Sequence, residues 1–165
     1  YDLLIVTGAP GAGKTSVAQA LVDLGSDFVV FDIDWLAEPV SMLTGRDIHT
    51  DASAWVAYGK LWFEILHSVS RNGCQPLFFC PNTPADFERQ QLATWYNTCH
   101  WLLLDCDDAV RTARLDARAD WSDERKQEAL DDAAELREAV PERIDTSGTT
   151  PEEAAHLVLA WASRW

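Results

Sequence analysis

Basic residues are scarce in this chain, which carries 13 lysines and arginines against 27 aspartates and glutamates. The formal net charge of −14 gives a negative field that repels nucleic acid and anionic membrane surfaces, so we expect neither as a partner. A phosphate-binding site in such a chain must take its positive charge from a few local cations. Each lysine or arginine near a glycine-rich turn is therefore a candidate for function.

Long apolar stretches and paired cysteines are also lacking. No apolar run reaches 18 residues, and no charged and apolar leader precedes the first strand pattern, although the chain starts at Tyr1. The cysteines show neither a C-x-x-C pair nor a zinc-like spacing with histidine; they are Cys74, Cys80, Cys99 and Cys106. We expect a reduced, cytoplasmic protein in which residues 1–165 form a single domain, as a monomer or homodimer.

What the chain does contain is a regular alternation of short apolar runs and amphipathic segments. Strands are predicted at 3–7, 28–31, 76–80, 100–104 and 143–145. Helices are predicted between and after them, at 14–24, 55–69 and 122–140 and from residues 84, 109 and 151. The alternation predicts an α/β fold, a three-layer sandwich with five parallel strands in the order 2-3-1-4-5 and helices on both faces.

A glycine-rich segment between the first strand and the first helix fits G-x-x-x-x-G-K-[ST] at every fixed position. Such a loop turns its backbone N–H groups towards phosphate oxygens at the positive end of the following helix. Lys14 is expected to bridge the β- and γ-phosphates of ATP and to act in catalysis, and the Thr15 hydroxyl to ligate Mg²⁺. The predicted nucleotide-binding residues are Gly8, Ala9, Pro10, Gly11, Ala12, Gly13, Lys14, Thr15 and Ser16.

Two aspartates follow the second predicted strand, Asp32 and Asp34. The carboxyl ends of parallel strands are where ligands bind in open α/β sheets. One carboxylate is expected to organise Mg²⁺, and the other to orient an acceptor hydroxyl and take its proton. The alternative is that Asp34 only caps a helix beginning at Trp35. The loop motif resembles that of P-loop proteins, many of which have an acidic residue at the metal-associated strand end where this chain has Cys80; the resemblance therefore implies Asp32 as the better metal candidate.

Four of the ten arginines lie within the fifteen residues 111–125 of this otherwise acidic chain. If this segment is helical throughout, Arg111, Arg114, Arg118 and Arg125 share one face. We predict a lid-like segment in which Arg114 and Arg118 bind the nucleotide and Arg118 also stabilises the transferring phosphoryl group. The alternative is a solvated face, in which the arginines pair weakly with nearby aspartates of the same helix.

The phosphate loop, followed by the acidic pair, resembles the small P-loop kinases of the nucleoside-monophosphate, shikimate and gluconate kinase group, and is also similar to chloramphenicol phosphotransferases. By resemblance to the shikimate kinases, Asp32 would serve the metal and Asp34 the substrate. The segment 113–118 is similar to the stretch that enters the lid of adenylate-kinase-like enzymes, and residues 145–148 resemble their adenine-packing loop. The segment 76–87 departs from shikimate kinases and is similar to tunicamycin-resistance proteins.

The motifs together predict a Mg²⁺- and ATP-dependent kinase that phosphorylates a hydroxyl of a small molecule. The resemblance to chloramphenicol phosphotransferases and tunicamycin-resistance proteins implies an antibiotic or another natural product as that molecule. Within enzymes, the alternative is a nucleoside or nucleotide kinase. Few basic residues lie near Asp34 to bind a nucleotide acceptor. Outside enzymes, the alternative is a nucleotide-dependent protein that binds a drug without modifying it.

Overall fold

The computed structural model describes residues 1–89 and 95–165, and a parallel sheet of five strands lies at its centre. In chain order the strands are β1 (Asp2–Thr7), β2 (Phe28–Asp32), β3 (Gln75–Cys80), β4 (Thr98–Asp105) and β5 (Arg143–Asp145). Their order across the sheet is β2-β3-β1-β4-β5, and every neighbouring pair is parallel. The predicted fold class and strand order are confirmed.

Helices connect successive strands and cover both faces of the sheet. They are α1 (Lys14–Leu24), α2 (Ala37–Thr44), α3 (Ala52–Arg71), α4 (Pro84–Arg89), α5 (Asp108–Asp116), α6 (Asp123–Ala139) and α7 (Pro151–Ala162). A short 3₁₀ helix, Ile33–Leu36, joins β2 to α2. Helix α3 begins three residues before the predicted start because the Asp51 side chain accepts hydrogen bonds from the amides of Ser53 and Ala54.

The central strand β1 is apolar on both faces because helices pack on both sides of it. Leu4 and Val6 lie in a core formed with α1 and α7, whereas Leu3 and Ile5 lie in a second core formed with α3. Each of these four side chains is fully buried, a pattern typical of a parallel strand rather than of one with a wet face. Among the described residues, no helix has the length and apolarity needed to cross a membrane.

This packing fixes the position of the loops that follow β1, β2 and β4. A smaller third core joins Ala9, in the loop after β1, to Leu103 of β4 and to Ala133 and Leu136 of α6. The loop after β1 is therefore held between the sheet and α6. The carboxyl ends of the parallel strands lie along one edge of the sheet, where the predicted phosphate loop and the acidic pair come together.

Candidate functional site

The phosphate loop, residues 8–15, joins β1 to α1 and has a backbone path that requires glycine. Gly11 and Gly13 have φ angles of +84° and +92°, in the left-handed region that other residues rarely adopt. At Gly8, a Cβ atom would lie 2.7 Å from the carbonyl oxygen of Leu104. The first glycine therefore allows the loop to lie directly against β4, and the other two allow it to turn into α1.

The N-terminus of α1 is suited to an anion. The N-cap residue Gly13 provides no side chain to bind the first amides of α1, and the first turn holds no acidic residue. Those amides have no partner within the helix and carry the positive end of its dipole. The Lys14 ammonium donates to the carbonyl oxygen of Gly8 at 2.5 Å, beside the same amides. Burial lowers the pKa of Lys14, while the charges of Asp34 and Asp32 oppose that shift.

Asp32 links the end of β2 to the phosphate loop. One carboxylate oxygen accepts the hydroxyl of Thr15 at 2.8 Å, and the other accepts the amide of Asp34 at 2.9 Å. Its side chain is fully buried, and burial raises the pKa of Asp32 above its ordinary value. Asp32 therefore caps the 3₁₀ helix. The alternative interpretation of the sequence, in which Asp34 is the cap, is wrong.

The Thr15–Asp32 pair fits the ligand chemistry of Mg²⁺ at a phosphate site, where one hydroxyl or carboxylate and several phosphate oxygens or waters surround the ion. In residues 1–89 and 95–165, no three acidic, histidine or cysteine side chains cluster as a metal site of their own. Any Mg²⁺ held here would therefore take most of its ligands from phosphates and water. Burial raises the pKa of Cys80 to about 12, so its thiol stays neutral and is a poor metal ligand.

A cleft of about 820 Å³ opens above the phosphate loop. Its floor holds Lys14 and Thr15, and its first side, which we call the acceptor wall, consists of Asp34, Asp47, His49, Thr50, Trp55 and Pro81. Its second side, which we call the arginine wall, consists of Arg118, Trp121 and Arg125. Three predicted catalytic residues, Lys14, Asp34 and Arg118, thus line one cleft, and Asp34 is exposed to it.

A second hollow of about 310 Å³ lies on the other side of the phosphate loop. It shares Gly11, Gly13, Ser16 and Arg118 with the large cleft, and is closed by Arg114 and by the loop and helix start after β5, including Thr146, Thr149 and Pro151. The hydroxyl of Thr149 is buried there without a hydrogen-bond partner. The two spaces meet at the phosphate loop, as the two ends of a nucleotide site would.

Arg111 and Arg114 hold the backbone of the phosphate loop from behind. The guanidinium of Arg111 is fully buried and donates to the carbonyl oxygen of Pro10 at 2.8 Å and to Asp105 at 2.7 Å. Arg114 donates to the carbonyl oxygen of Gly11 at 3.1 Å and to that of Thr146 at 2.6 Å. Arg114, predicted to bind nucleotide, thus touches the loop itself and lines the second hollow.

The arginines do not form one helical stripe, which corrects the sequence-based interpretation. Helix α5 ends at Asp116, so Arg118 lies in a turn and Arg125 lies in α6. Both are exposed, and their guanidinium carbons lie 5.7 and 4.3 Å from the centre of the Trp121 ring. The aspartates expected to pair with the stripe bind elsewhere, Asp108 to Arg137 and Asp116 to Lys126.

Several residues of the cleft escaped the sequence analysis. Asp47, His49 and Thr50 belong to the turn between α2 and α3; no motif marks His49 or Thr50, and Asp47 lies in the segment 44–48, which resembles shikimate kinases but was given no role. Trp121 had a usable signal, since an aromatic residue between two arginines in a polar segment is typical of cation–π packing. Of the tryptophans near the acceptor side, Trp55 reaches the cleft, whereas Trp62 is a core residue with 1% exposure.

Residues 4–139 match the sequence profile of the AAA domain family. The matched region runs from β1 to the end of α6 and takes in the phosphate loop, Asp34 and the arginine wall. The chain belongs to the AAA domain family. None of the curated proteins matches the sequence of this chain significantly.

Solved structures share the fold of this AAA domain protein over almost its whole length. A sugar kinase from Janibacter sp. HTCC2649 has a TM-score of 0.67 at 18% identity, covering 98% of this chain and 94% of that one. A tunicamycin resistance protein from Deinococcus radiodurans has a TM-score of 0.65 at 22% identity, with the same coverage. Shikimate kinase from Acinetobacter baumannii in complex with shikimate has a TM-score of 0.65 at 16% identity, covering 99% and 93%. The predicted resemblance to this group is confirmed for the fold.

Proposed function

We propose that this protein is a kinase that transfers the γ-phosphate of ATP to a hydroxyl group of a small molecule. The observation that carries the proposal is the meeting of Lys14, Asp34 and Arg118 in one cleft above the phosphate loop. An exposed carboxylate on the acceptor wall can take the proton of an attacking hydroxyl group, as this transfer requires. The sugar kinase and shikimate kinase that share the fold support the same reaction type.

In the proposed reaction, the phosphate loop and Lys14 hold the β- and γ-phosphates, and the base and ribose extend towards the second hollow with Arg114 and Thr149. The acceptor oxygen forms a bond to the γ-phosphorus as the bond to the β–γ bridging oxygen breaks. ADP leaves with that electron pair, and the proton of the acceptor hydroxyl passes to the Asp34 carboxylate. Arg118 stabilises the charge that spreads over the transferred group.

Mg²⁺ would neutralise charge between the β- and γ-phosphates when bound. The Thr15 hydroxyl would hold it directly, and Asp32 would orient that hydroxyl from behind at 2.8 Å. We further propose that the chain acts as one domain, as a monomer or homodimer, and that the exposed end of residues 111–125, with Arg118 and Arg125, closes over the phosphates. Neither nucleic acid nor membrane is expected as a partner of so acidic a protein.

A second candidate is a nucleotide-dependent protein that binds an antibiotic without phosphorylating it. The observation that favours it is the shared fold of the tunicamycin resistance protein, at 22% identity. A nucleotide kinase is a weaker alternative, because the acceptor wall consists of Asp34, Asp47, His49, Thr50, Trp55 and Pro81 and includes neither lysine nor arginine for a second phosphate.

The test is incubation of the protein with Mg·ATP and a library of small alcohols, antibiotics included, followed by mass spectrometry. We expect at least one acceptor to gain the mass of one phosphate in proportion to the ADP formed. The Lys14→Ala variant serves as the control for contaminating kinases and should lose this product. Tight binding of a library member without a mass gain would favour the antibiotic-binding protein. Absence of both product and binding would contradict the kinase function.

A further inference from the structure

The acceptor wall contains two carboxylates, and both are exposed in the cleft. Asp34 follows β2, and Asp47 begins the turn between α2 and α3. The backbone amide of His49 donates to Asp47 at 2.9 Å, and this bond holds the pKa of the Asp47 carboxyl below its ordinary value. An acceptor seated against this wall therefore meets two carboxylates.

In the described part of the chain, three cations line the cleft, Lys14, Arg118 and Arg125, and they lie on its floor and on the arginine wall. Arg46 pairs with Asp51 at 2.9 Å. Arg118 lies at the phosphate loop, since it lines both the cleft and the second hollow. Arg125 lies 4.3 Å from the ring centre of Trp121 and donates to the carbonyl oxygen of Asp120 at 3.2 Å. Within residues 1–89 and 95–165, no lysine or arginine lines the acceptor wall, and the sequence of 90–94 includes none.

The same wall offers an aromatic surface. Trp55 is half-buried and lines the cleft, and its ring centre lies 6.0 Å from that of Tyr58 and 6.1 Å from that of His49. The hydroxyl of Tyr58 donates to the carbonyl oxygen of Ile33, which ties the ring cluster to the 3₁₀ helix that carries Asp34. A fixed tryptophan face beside carboxylates suits the apolar face of a ring compound, or a cationic amine.

We propose that the acceptor is an uncharged or amine-bearing alcohol with a flat apolar face, and that carboxylate-bearing acceptors are rejected. The inference rests on the proposed kinase function and names the substrate class of the same site. A carboxylate placed on the acceptor wall would be repelled by Asp34 and Asp47, and Lys14 and Arg118, the cations nearest to the phosphate loop, would be occupied by the phosphates of ATP in the proposed reaction. An amine would gain from both carboxylates and from the Trp55 face, and a neutral polyol would donate hydrogen bonds to the same oxygens.

The test is a panel of acceptors arranged in sets of three on one carbon skeleton. Within each set the compounds differ in one substituent, which is hydroxymethyl, aminomethyl or carboxylate; glucose, 6-amino-6-deoxyglucose and glucuronate form one such set. Phosphorylated product and ADP are measured together as initial rates with Mg·ATP. We expect product from neutral or amine-bearing members and at least tenfold lower kcat/KM for the matched carboxylate, about what one close like charge imposes in a partly solvated cleft.

Asp47→Asn tests whether the wall causes the discrimination. Asparagine keeps an oxygen that can accept the His49 amide but removes the charge. We expect kcat/KM for the carboxylate to rise, and that for the amine to fall, each by roughly three- to tenfold. Glu64→Gln is the matched control, because it removes one negative charge outside the cleft. Glu64 is an exposed residue of α3 and lines a different groove with Val29 and Cys74.

The possible results separate the acceptor class from the kinase function. Product from carboxylates at rates equal to their neutral partners, or an Asp47→Asn variant with unchanged preference, would overturn the acceptor class while leaving the kinase in place. A panel and library in which nothing gains a phosphate would overturn the kinase function and the acceptor class with it. An equal shift in Glu64→Gln would assign the preference to overall charge and also refute the role of the acceptor wall.

Discussion

The arginines at the two ends of residues 111–125 have different surroundings and different roles. At one end, Arg111 and Arg114 are bound to the backbone of the phosphate loop, and Arg111 is fully buried against Asp105. At the other end, Arg118 and Arg125 are exposed on the arginine wall and pack only loosely on Trp121. One pair therefore shapes the phosphate loop, and the other pair leaves its charge available to whatever enters the cleft.

The comparison shows why position matters more than residue type in a chain with so few cations. A guanidinium that is buried and paired resists movement, since removal of its partner leaves a costly unpaired charge. An exposed guanidinium has little effect on folding but can approach a charge that develops during reaction. We expect mutations in the first pair to lower the free energy of unfolding, and mutations in the second pair to lower turnover.

The largest effect is expected from Arg118→Ala. Removal of an arginine that stabilises the transferring phosphoryl group costs on the order of 10³-fold in kcat. Affinity for ATP and the urea midpoint of unfolding should change little, because Arg118 is exposed. Steady-state kinetics, nucleotide titration and urea unfolding of the same preparation measure all three quantities.

Arg118→Lys is the companion variant, and it should recover only part of the lost turnover because an ammonium lacks the planar fork of a guanidinium. Wild-type turnover in the alanine variant would mean that Arg118 is only a solvated residue. A large fall in unfolding free energy would place Arg118 with the structural pair and break the comparison.

The next largest effect is expected from Arg111→Ala, this time on stability. The substitution leaves Asp105 without one of its two cationic partners and frees the Pro10 carbonyl, so the unfolding free energy should fall by roughly 3–5 kcal/mol. Arg125→Ala is the matched control and should stay within about 0.5 kcal/mol of wild type. Equal losses in the two variants, by urea unfolding, would contradict the division between the pairs.

The phosphate loop, which Arg111 and Arg114 hold, should also differ from the exposed arginine wall in its response to pH. The loop is hydrogen-bonded through Thr15 to the buried carboxylate of Asp32. The pKa of Asp32 is raised in the folded protein, so its ionisation opposes folding above the ordinary value of 3.8. Relative to wild type, Asp32→Asn should therefore gain unfolding free energy as pH rises from about 4 through the raised pKa, and level off above it. Urea unfolding of both proteins across this range gives the difference, and a flat difference would contradict the burial account.

The smallest effect is expected from Trp121→Ala. Exposed cation–π contacts contribute roughly 0.5–1 kcal/mol each, so loss of the ring should reduce kcat by roughly two- to fivefold through a less restrained Arg118. Trp121→Phe should retain part of the effect, and the unfolding free energy should be unchanged in both. A fall in kcat as large as that of Arg118→Ala would show that Trp121 itself contacts the reacting groups.

Much of the fold followed from local patterns. The buried runs of β1 and β3, the phosphate loop and the helix starts at residues 14, 84 and 151 each depend on residues close together in the chain, and each appears in the structure as predicted. The helical stripe failed because no local signal marked the end of α5 at Asp116, where the chain turns without glycine or proline. In the structure, Asp116 at the end of α5 pairs with Lys126 of α6 at 2.7 Å, a contact between two separate helices that the local sequence does not reveal.

The sequence predicted those site residues that lie in a recognisable motif or close to the end of a predicted strand. Lys14 and Thr15 end the phosphate loop that follows β1, and Asp34 follows β2, so their convergence at one edge of the sheet could be expected. Asp47 and His49 reach the same cleft from the turn before α3, and their place depends on how α2 and α3 pack on the sheet. The acceptor wall, and with it the acceptor class, could therefore not be inferred before the structure.

The central claim is that Asp34 serves transfer while the phosphate loop serves binding, and one measurement separates the two. Wild type and Asp34→Asn are each mixed with ATP labelled at the γ-phosphate and with an acceptor identified in the library, and single-turnover transfer and ATP affinity are measured on the same samples. We expect labelled acceptor from wild type, and a transfer rate lower by roughly 10²- to 10⁴-fold in the variant at nearly unchanged ATP affinity. Equal transfer rates, or a loss of ATP affinity that accounts for the whole effect, would contradict the claim.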